Sequence, residues 1–333
     1  MAALLSASRA LHASCGPLEI VLTAEDERIA AVALNHLSLF APAWPARTRT
    51  INVQMLRNSC ALEVSGTYLR CGQMLADRDG ARYAVRTSRG LAAQGHCGAR
   101  TDVWVLYVPE DVEFGEPEVG ALEDIFSLIC TVGWRQEGWI PVHAAAVAKN
   151  GTCAVLCAPS GGGKSTLTAA LARHGWQTLG DDKLLLRRTG VDVRLRALLQ
   201  TFNLDPQTRR WFDVGDIDGL PRYSAFTNKR RVAVGTICAR SPMIESAAPT
   251  HVVRIVRDAH ASGISASPLR PGDVLPALLR QIVIPADPAA ARWIVRETGA
   301  CASKLRGIEL RIGDDAYASA AWLGAIEEAI LCE

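Results

Sequence analysis

Residues 152–166 have the sequence TCAVLCAPSGGGKST, which is the most informative segment for the fold of the second half of the chain. It begins with an apolar run, passes through Pro159 into three successive glycines, and ends in Lys-Ser-Thr. Residues 167–174 then place apolar side chains at helical spacing, and Gly175 is a typical residue after a helix C-terminus. The pattern predicts a strand, a glycine loop and a helix in direct succession, which is the context of a phosphate-binding loop.

Such a loop binds phosphate because glycines let successive backbone N–H groups face one concave surface, and the helix N-terminus adds positive partial charge. Lys164 would reach the β- and γ-phosphates, and the Ser165 hydroxyl would bind Mg²⁺. Ala158 replaces the usual first glycine, which is a small departure from the pattern. We therefore expect ATP and Mg²⁺ as cofactors, with the nucleotide held by Ser160, Gly161, Gly162, Gly163, Lys164, Ser165 and Thr166.

Two acidic residues, Asp181 and Asp182, directly follow the next predicted strand, 176–180. Carboxylates at a strand end near a phosphate-binding loop can hold Mg²⁺ or accept a proton from an attacking hydroxyl. The alternative is that adjacent acids only open a turn. Their place after the loop helix and one strand favours the functional interpretation.

A predicted hairpin leads into the glycine loop. Two apolar runs, 142–147 and 152–156, flank the dipeptide Asn150-Gly151, which is a strong hairpin signal. His143 lies near the start of the first run. From its residue type and position alone, a packed core histidine and a functional histidine are equally consistent with the sequence.

The segment from His143 to Asp182 resembles the kinase domain of the HPr kinase/phosphorylase family. In that family a His opens the hairpin before the phosphate-binding loop, and an Asp-Asp pair follows the loop helix and a short strand. Related stand-alone kinases, including lasso peptide kinases, carry a similar combination behind a small N-terminal domain. The resemblance covers residues 121–195 well, later residues in outline, and residues 1–110 poorly.

The resemblance implies a role for each matching residue. Asp181 would be the catalytic base towards a hydroxyl, Asp182 would support it or hold the metal with Ser165, and His143 would tune the cluster near Lys164. The implied reaction transfers the γ-phosphoryl group of ATP to a Ser or Thr hydroxyl of a peptide or protein, such as a precursor peptide. The alternatives are a kinase for a small hydroxylated metabolite and a nucleotide-dependent switch or assembly NTPase.

The sequence departs from the family after the kinase core. A Glu-Val-Arg-Gly type stretch, linked in the family to partner recognition and reverse phosphorolysis, has no clear counterpart in this chain. A basic cluster of Lys229, Arg230 and Arg231 is found instead, before an apolar run. These cations would clamp phosphates or an acidic substrate segment, or would only form a solvated strand entrance.

The chain is predicted to have two domains. Residues 1–115 alternate short strands, including one at 60–64, with a helix, and form a small α+β domain for which we suggest substrate recognition. The acidic, breaker-rich segment 109–120 is the predicted linker. An amphipathic helix at 121–136 then opens the second domain, 121–333. The predicted fold class is α/β, with an HPr-kinase-like core of a mixed sheet and flanking helices.

Composition limits the class of protein. The 333 residues are 49% apolar and 21% charged, which excludes a largely disordered chain. The net charge of +2 argues against a nucleic-acid carrier, and no apolar stretch is long enough to span a membrane. The ten cysteines include no C-x₂-C pair, and Arg9 interrupts the short apolar N-terminus. We expect a cytoplasmic protein without nucleic-acid or membrane partners; the oligomeric state stays open.

Overall fold

The computed structural model describes residues 10–40, 44, 46–113, 115–199, 201–210, 216–222, 227–237, 243–318 and 321–331. These residues form two compact units. Unit 1 contains the described residues up to Gly138 together with Ile284–Ala291. Unit 2 contains the described residues from Trp139 to Val283 and from Arg292 onward.

Unit 1 is built on one mixed sheet and two helices. Its elements in chain order are β1 (Leu11–Cys15), β2 (Leu18–Ala24), α1 (Glu27–Leu37), β3 (Arg49–Arg57), β4 (Leu69–Cys71), β5 (Met74–Asp79), β6 (Arg82–Thr87), β7 (Ala92–Cys97), β8 (Thr101–Val108) and α2 (Glu116–Gln136). The strand order is β1-β2-β3-β8-β7-β6-β5-β4. Strands β2, β3 and β8 run parallel, and the other neighbours are antiparallel.

Helix α2 belongs to unit 1, whereas we expected the helix predicted at 121–136 to open the second domain. The physical reason is its close packing on the sheet of unit 1. A Cβ at Gly133 would lie 2.9 Å from Cδ1 of Ile51 on β3, which shows how closely the helix approaches this sheet. The indole N–H of Trp134 also donates to the carbonyl oxygen of Cys15 at 3.1 Å.

The strand predicted at 60–64 is wrong, because residues 59–66 form no strand. The backbone N–H groups of Ser65 and Thr67 donate to the Asp77 carboxylate at 2.5 and 2.6 Å. A side chain on β5 therefore takes the backbone donors that directly follow the predicted strand, and no strand pairing continues there. The same hydrogen bonds, working against burial, lower the pKa of Asp77 to about 2.

The second half of the chain contains more elements. They are β9 (Ile140–Val142), β10 (Ala145–Lys149), β11 (Thr152–Cys157), α3 (Lys164–Arg173), β12 (Gln177–Gly180), β13 (Leu184–Thr189), β14 (Asp192–Ala197), β15 (Thr201–Leu204), a 3₁₀ helix (Pro206–Arg210), β16 (Arg230–Ala233), α4 (Val234–Ile237), β17 (Ser246–Ala247), β18 (His251–Arg257), β19 (Ile264–Pro268), α5 (Pro271–Leu279), α6 (Pro288–Ala302), β20 (Arg306–Ile312) and α7 (Ala321–Leu331).

The main sheet of unit 2 has the order β12-β10-β11-β18-β20-β19. Strands β11, β18 and β20 are parallel neighbours, while β10 is antiparallel to both β11 and β12. One edge of the sheet therefore contains the carboxyl ends of β11, β12, β18 and β20 and the amino end of β10. We call this the functional edge. A four-stranded sheet, β17-β14-β13-β9, and the ribbon β15-β16 complete the unit.

Two layers of apolar side chains cover the main sheet. One face packs on α3 and α7 through residues such as Leu167, Trp176 and Ile326. The other face packs against α5, α6 and the four-stranded sheet. The fold is therefore α/β, with mixed sheets and flanking helices. No helix in the described part of the chain is long and apolar enough to cross a membrane.

The hairpin predicted before the glycine loop is confirmed. Strands β10 and β11 pair antiparallel, with Lys149 opposite Thr152. Asn150 and Gly151 between them have φ values of 51° and 80°, as a type I′ turn requires. The hairpin fixes the direction in which β11 enters the glycine loop.

Candidate functional site

A cavity of about 520 Å³ opens at the functional edge of unit 2. Its floor is the segment that connects β11 to α3, and its other walls come from β15, the 3₁₀ helix and the ends of β18 and β20. The described residues that line it are Pro159, Gly161, Gly162, Gly163, Lys164, Ser165, Thr166, Asn203, Asp205, Gln207, Thr208, Lys229, Arg257 and Asp314. Except for exposed Ser160, the predicted loop residues therefore line one cavity.

The glycine loop, residues 158–163, adopts a conformation that depends on its glycines. Gly161 and Gly163 have φ values of 76° and 94°, in the left-handed region that L side chains rarely adopt. Gly162 has no room for a side chain, since a Cβ would lie 2.8 Å from Cβ of Ala158. The loop leads directly into the N-terminus of α3, where unpaired N–H groups and the helix dipole favour an anion.

Lys164, the first residue of α3, is buried beneath the loop. Its ammonium group donates to the carbonyl oxygen of Ala158 at 2.7 Å. Burial lowers the pKa of Lys164, and the negative charge of Asp182 opposes that shift. The ammonium group therefore lies at the cavity floor beside a carboxylate, within reach of an anion bound there.

Asp181 follows β12 and is completely buried, and it does not itself line the cavity. Its Oδ2 atom accepts a hydrogen bond from the backbone N–H of Asn203 at 2.7 Å. Burial, followed by the negative charge of Asp182, raises the pKa of Asp181 to about 7. The Asn203 N–H and the Ser165 hydroxyl oppose the shift by hydrogen bonding. A carboxyl group with this pKa can exchange a proton near neutral pH.

His143 and Asp182 form a second part of the same cluster. Nε2 of His143 lies 2.6 Å from Oδ1 of Asp182, and the histidine side chain is 51% exposed while the aspartate is buried. The backbone N–H of His143 donates to the carbonyl oxygen of Gln281 at 2.7 Å. The open question of whether His143 is a core residue is therefore answered by its exposure and its carboxylate partner.

Gln281 is a residue that the sequence analysis missed. In the amide orientation that satisfies its surroundings, its side-chain nitrogen donates to the carbonyl oxygens of His143 and Ala158, each at 2.9 Å. It thereby ties the entrance of β10 to the start of the glycine loop. No local sequence signal marks this residue, because its partners are distant in the chain.

The basic cluster divides into different environments. Lys229 lines the cavity, and its positive charge partly opposes the rise in the pKa of Asp181. Arg230 does not line the cavity and donates from Nη1 to the carbonyl oxygen of Leu220 at 3.2 Å. Arg231 lies on β16, where its backbone N–H donates to the carbonyl oxygen of Pro221 and its Cα is opposite Asn203. Only Lys229 of the three is at the cavity wall.

Six further cavity residues outside the glycine loop were not predicted: Asn203, Asp205, Gln207, Thr208, Arg257 and Asp314. Both polar side-chain atoms of Asn203 are buried and have no hydrogen-bond partner among the described residues. Arg257 and Asp314 lie at the carboxyl end of β18 and just after β20. Their common position follows from parallel pairing of distant strands, which periodicity along the sequence does not reveal.

The donor atoms around the loop fit Mg²⁺ better than a transition metal. Within the described residues, no group of three or more His, Cys, Asp or Glu side chains could hold a metal ion by itself. Mg²⁺ commonly binds through one or two protein oxygens together with substrate phosphates. The Ser165 hydroxyl, the adjacent carboxylates and the unpartnered amide oxygen of Asn203 are ligands of that type.

The comparisons with known proteins assign no family. No protein-family model matches the sequence, and no curated protein matches it either. Among solved structures, the HPr(Ser) kinase/phosphatase from Coxiella burnetii is similar with a TM-score of 0.30 and 9% identity, over 52% of this chain and 85% of that chain. Similarity at this level establishes neither a shared fold nor a shared activity.

Proposed function

We propose that this protein is a kinase that transfers the γ-phosphoryl group of ATP to a hydroxyl group. The observation that carries the proposal is one sheet edge holding a glycine loop, a buried lysine and a carboxyl group whose pKa is raised to about 7. A binding module would need only the loop and the lysine. A carboxyl group poised to accept a proton near neutral pH is what attack by a hydroxyl requires in addition.

The proposed chemistry divides between binding and proton transfer. Backbone N–H groups of the glycine loop and the Lys164 ammonium group would bind the β- and γ-phosphates. The acceptor hydroxyl attacks the γ-phosphorus atom, the bond from that atom to the β,γ-bridging oxygen breaks, and ADP leaves. The hydroxyl proton would reach the buried Asp181 carboxylate through the Ser165 hydroxyl, which lines the cavity and is hydrogen-bonded to Asp181. His143 acts through its hydrogen bond to Asp182, whose charge adds to the effect of burial in raising the pKa of Asp181.

Mg²⁺ is the proposed cofactor, held by Ser165 and Asp182 together with phosphate oxygens. When bound, the ion would neutralise negative charge that builds on the phosphates. Lys229 would add a cation at the cavity wall. Since catalysis of this kind depends on positioning and charge, small displacements of these residues are expected to lower the rate strongly.

The proposed acceptor is a Ser or Thr hydroxyl of a peptide or protein, such as a precursor peptide. The support is the resemblance of residues 143–182 to kinases that act on such hydroxyls. A small hydroxylated metabolite is the second candidate. The cysteines in the described part of the chain are free thiols, which supports a reducing compartment such as the cytoplasm.

The test is transfer of label from γ-labelled ATP, with Mg²⁺, to proteins and peptides encoded by neighbouring genes and to a panel of hydroxylated metabolites. We expect Asp181→Asn and Lys164→Ala to lower transfer at least about a hundredfold. Asp192→Asn, an exposed carboxylate on β14, is the matched control and should retain transfer. Equal transfer by wild type and Asp181→Asn would reject the proposed base.

A nucleotide-dependent switch is the competing function. It predicts ATP hydrolysis or binding without transfer to any acceptor. Asp181→Asn would then leave nucleotide-driven partner binding intact, because a switch needs no base towards a hydroxyl. ATP turnover with no labelled product in any acceptor pool would favour the switch over the kinase.

A further inference from the structure

Arg257 and Asp314 form an ion pair at the wall of the cavity. Nη2 of Arg257 lies 2.6 Å from Oδ1 of Asp314, and the two side chains are 43% and 69% exposed. Both residues line the same cavity as the glycine loop. An exposed pair of this kind contributes little to folding stability. The ion pair can therefore break at little cost, and each side chain can then bind a ligand.

The backbone that carries Asp314 is held firmly on both sides. A Cβ at Gly313 would lie 2.2 Å from the carbonyl oxygen of Ala261. The backbone at Gly313 therefore lies so close to the backbone at Ala261 that only glycine fits. Asp315 accepts hydrogen bonds from the backbone N–H of Gly263 at 2.7 Å and from the Ser262 hydroxyl at 2.8 Å. The Asp314 side chain is thus presented to the cavity from a fixed turn.

The strand order places this pair on the opposite side of the glycine loop from the acidic cluster. Asp181 and Asp182 follow β12, which lies on one side of β11, whereas Arg257 and Asp314 follow β18 and β20 on the other side. If the γ-phosphate lies on the β12 side of the loop, where Asp181 and Asp182 are, the triphosphate crosses the loop and its nucleoside end reaches the side of β18 and β20. Ligands bind at the carboxyl ends of strands in open α/β sheets.

We propose that Arg257 and Asp314 bind the nucleoside end of a ribonucleoside triphosphate, an inference that rests on the proposed function. The Asp314 carboxylate accepts hydrogen bonds from the 2′- and 3′-hydroxyls of the ribose, a contact for which carboxylates are well suited. The Arg257 guanidinium turns from Asp314 to the α-phosphate. The acidic residue therefore selects for ribose, while the glycine loop and Lys164 bind the phosphates of any triphosphate.

The test compares dissociation constants of ATP, 2′,3′-dideoxyATP and inorganic tripolyphosphate, measured by calorimetry with Mg²⁺ for the full chain. For wild type we expect ATP to bind about tenfold more tightly than dideoxyATP. Asp314→Asn should weaken ATP binding to the level of dideoxyATP and leave dideoxyATP and tripolyphosphate within about twofold of wild type. Asp273→Asn is the matched control, because Asp273 forms an ion pair with the 88% exposed Arg270 and lies outside the cavity lining.

Two results would overturn the proposal. One is equal affinity of wild type for ATP and dideoxyATP; the other is an Asp314→Asn variant that loses affinity for all three ligands alike. In either case, continued label transfer from ATP by wild type would leave the kinase proposal standing. Failure of wild type to bind any of the three ligands would remove both proposals together.

Discussion

The imidazole Nε2 of His143 lies 2.6 Å from Oδ1 of Asp182, although the two residues stand on opposite sides of the glycine loop in the sequence. The contact joins the entrance of β10 to the end of β12, which pair in the main sheet of unit 2. Since the charge of Asp182 raises the pKa of Asp181, this hydrogen bond connects a half-exposed histidine to the proposed base.

The pH dependence of transfer should change when His143 is removed. In His143→Ala, Asp182 loses a hydrogen-bond donor and its negative charge acts more strongly on Asp181, which raises the pKa of Asp181. The acidic limb of the kcat/KM profile should move to higher pH by about half a unit. His143→Gln keeps an amide donor and should move the limb less. If the acidic limb does not shift in either variant, His143 does not influence the pKa of the proposed base, and the prediction is wrong.

Asp181→Asn should stabilise the fold while it abolishes transfer. Burial and the charge of Asp182 raise the pKa of Asp181 in the folded state from 3.8 to about 7. As the pH rises through this range, the carboxyl group ionises more readily in the unfolded chain, which favours unfolding. This destabilisation of the folded protein is absent below the pKa of Asp181 in the unfolded chain and fully present above its pKa in the folded protein. At pH 8 we expect a gain of more than about 1 kcal/mol in the free energy of unfolding. Denaturant titrations at pH 4 and pH 8 measure it; a loss of stability at pH 8 contradicts the prediction.

Gly162→Ala should damage the site through steric contact alone, because a Cβ there meets Cβ of Ala158 at 2.8 Å and the carbonyl oxygen of Pro159 at 3.0 Å. The loop backbone must shift, and we expect ATP affinity to fall at least about tenfold. Gly324→Ala is the matched control, since nothing lies within 4 Å of a Cβ at this position in α7. It should gain about 0.5–1 kcal/mol in stability from helix propensity. Calorimetric ATP titration and thermal unfolding distinguish the two.

The basic cluster offers a paired comparison. Lys229→Ala removes a cation from the cavity wall, and we expect the KM for ATP to rise about tenfold with little change in melting temperature. Arg230→Ala removes a hydrogen bond to the carbonyl oxygen of Leu220 and should lower the melting temperature instead. Steady-state kinetics and thermal unfolding of both variants check this. The reverse pattern would show that Arg230 is the phosphate-binding residue.

Local patterns predicted the parts of the fold that depend on neighbouring residues. The hairpin at Asn150-Gly151 and the succession of β11, glycine loop and α3 follow from short-range turn and helix rules, and the structure has them. The strand expected at 60–64 is absent, and the backbone N–H groups of Ser65 and Thr67 just after it bind Asp77, a side chain distant in sequence. The prediction that the helix at 121–136 opens the second domain was also wrong. Helix α2 packs on β3, and this contact joins residues that are distant in the sequence.

The glycine loop, Lys164, Ser165 and the acidic pair can be located without a structure, because each is encoded within a few consecutive residues. That Lys229, Asn203, Arg257 and Asp314 line one cavity follows from tertiary packing alone. Tertiary packing also determines that Asp181 is buried and that Asp182 is bonded to His143. The physical reason is that pairing of β11 with β18 and of β18 with β20 brings distant strand ends to one edge, and burial there raises the pKa of Asp181.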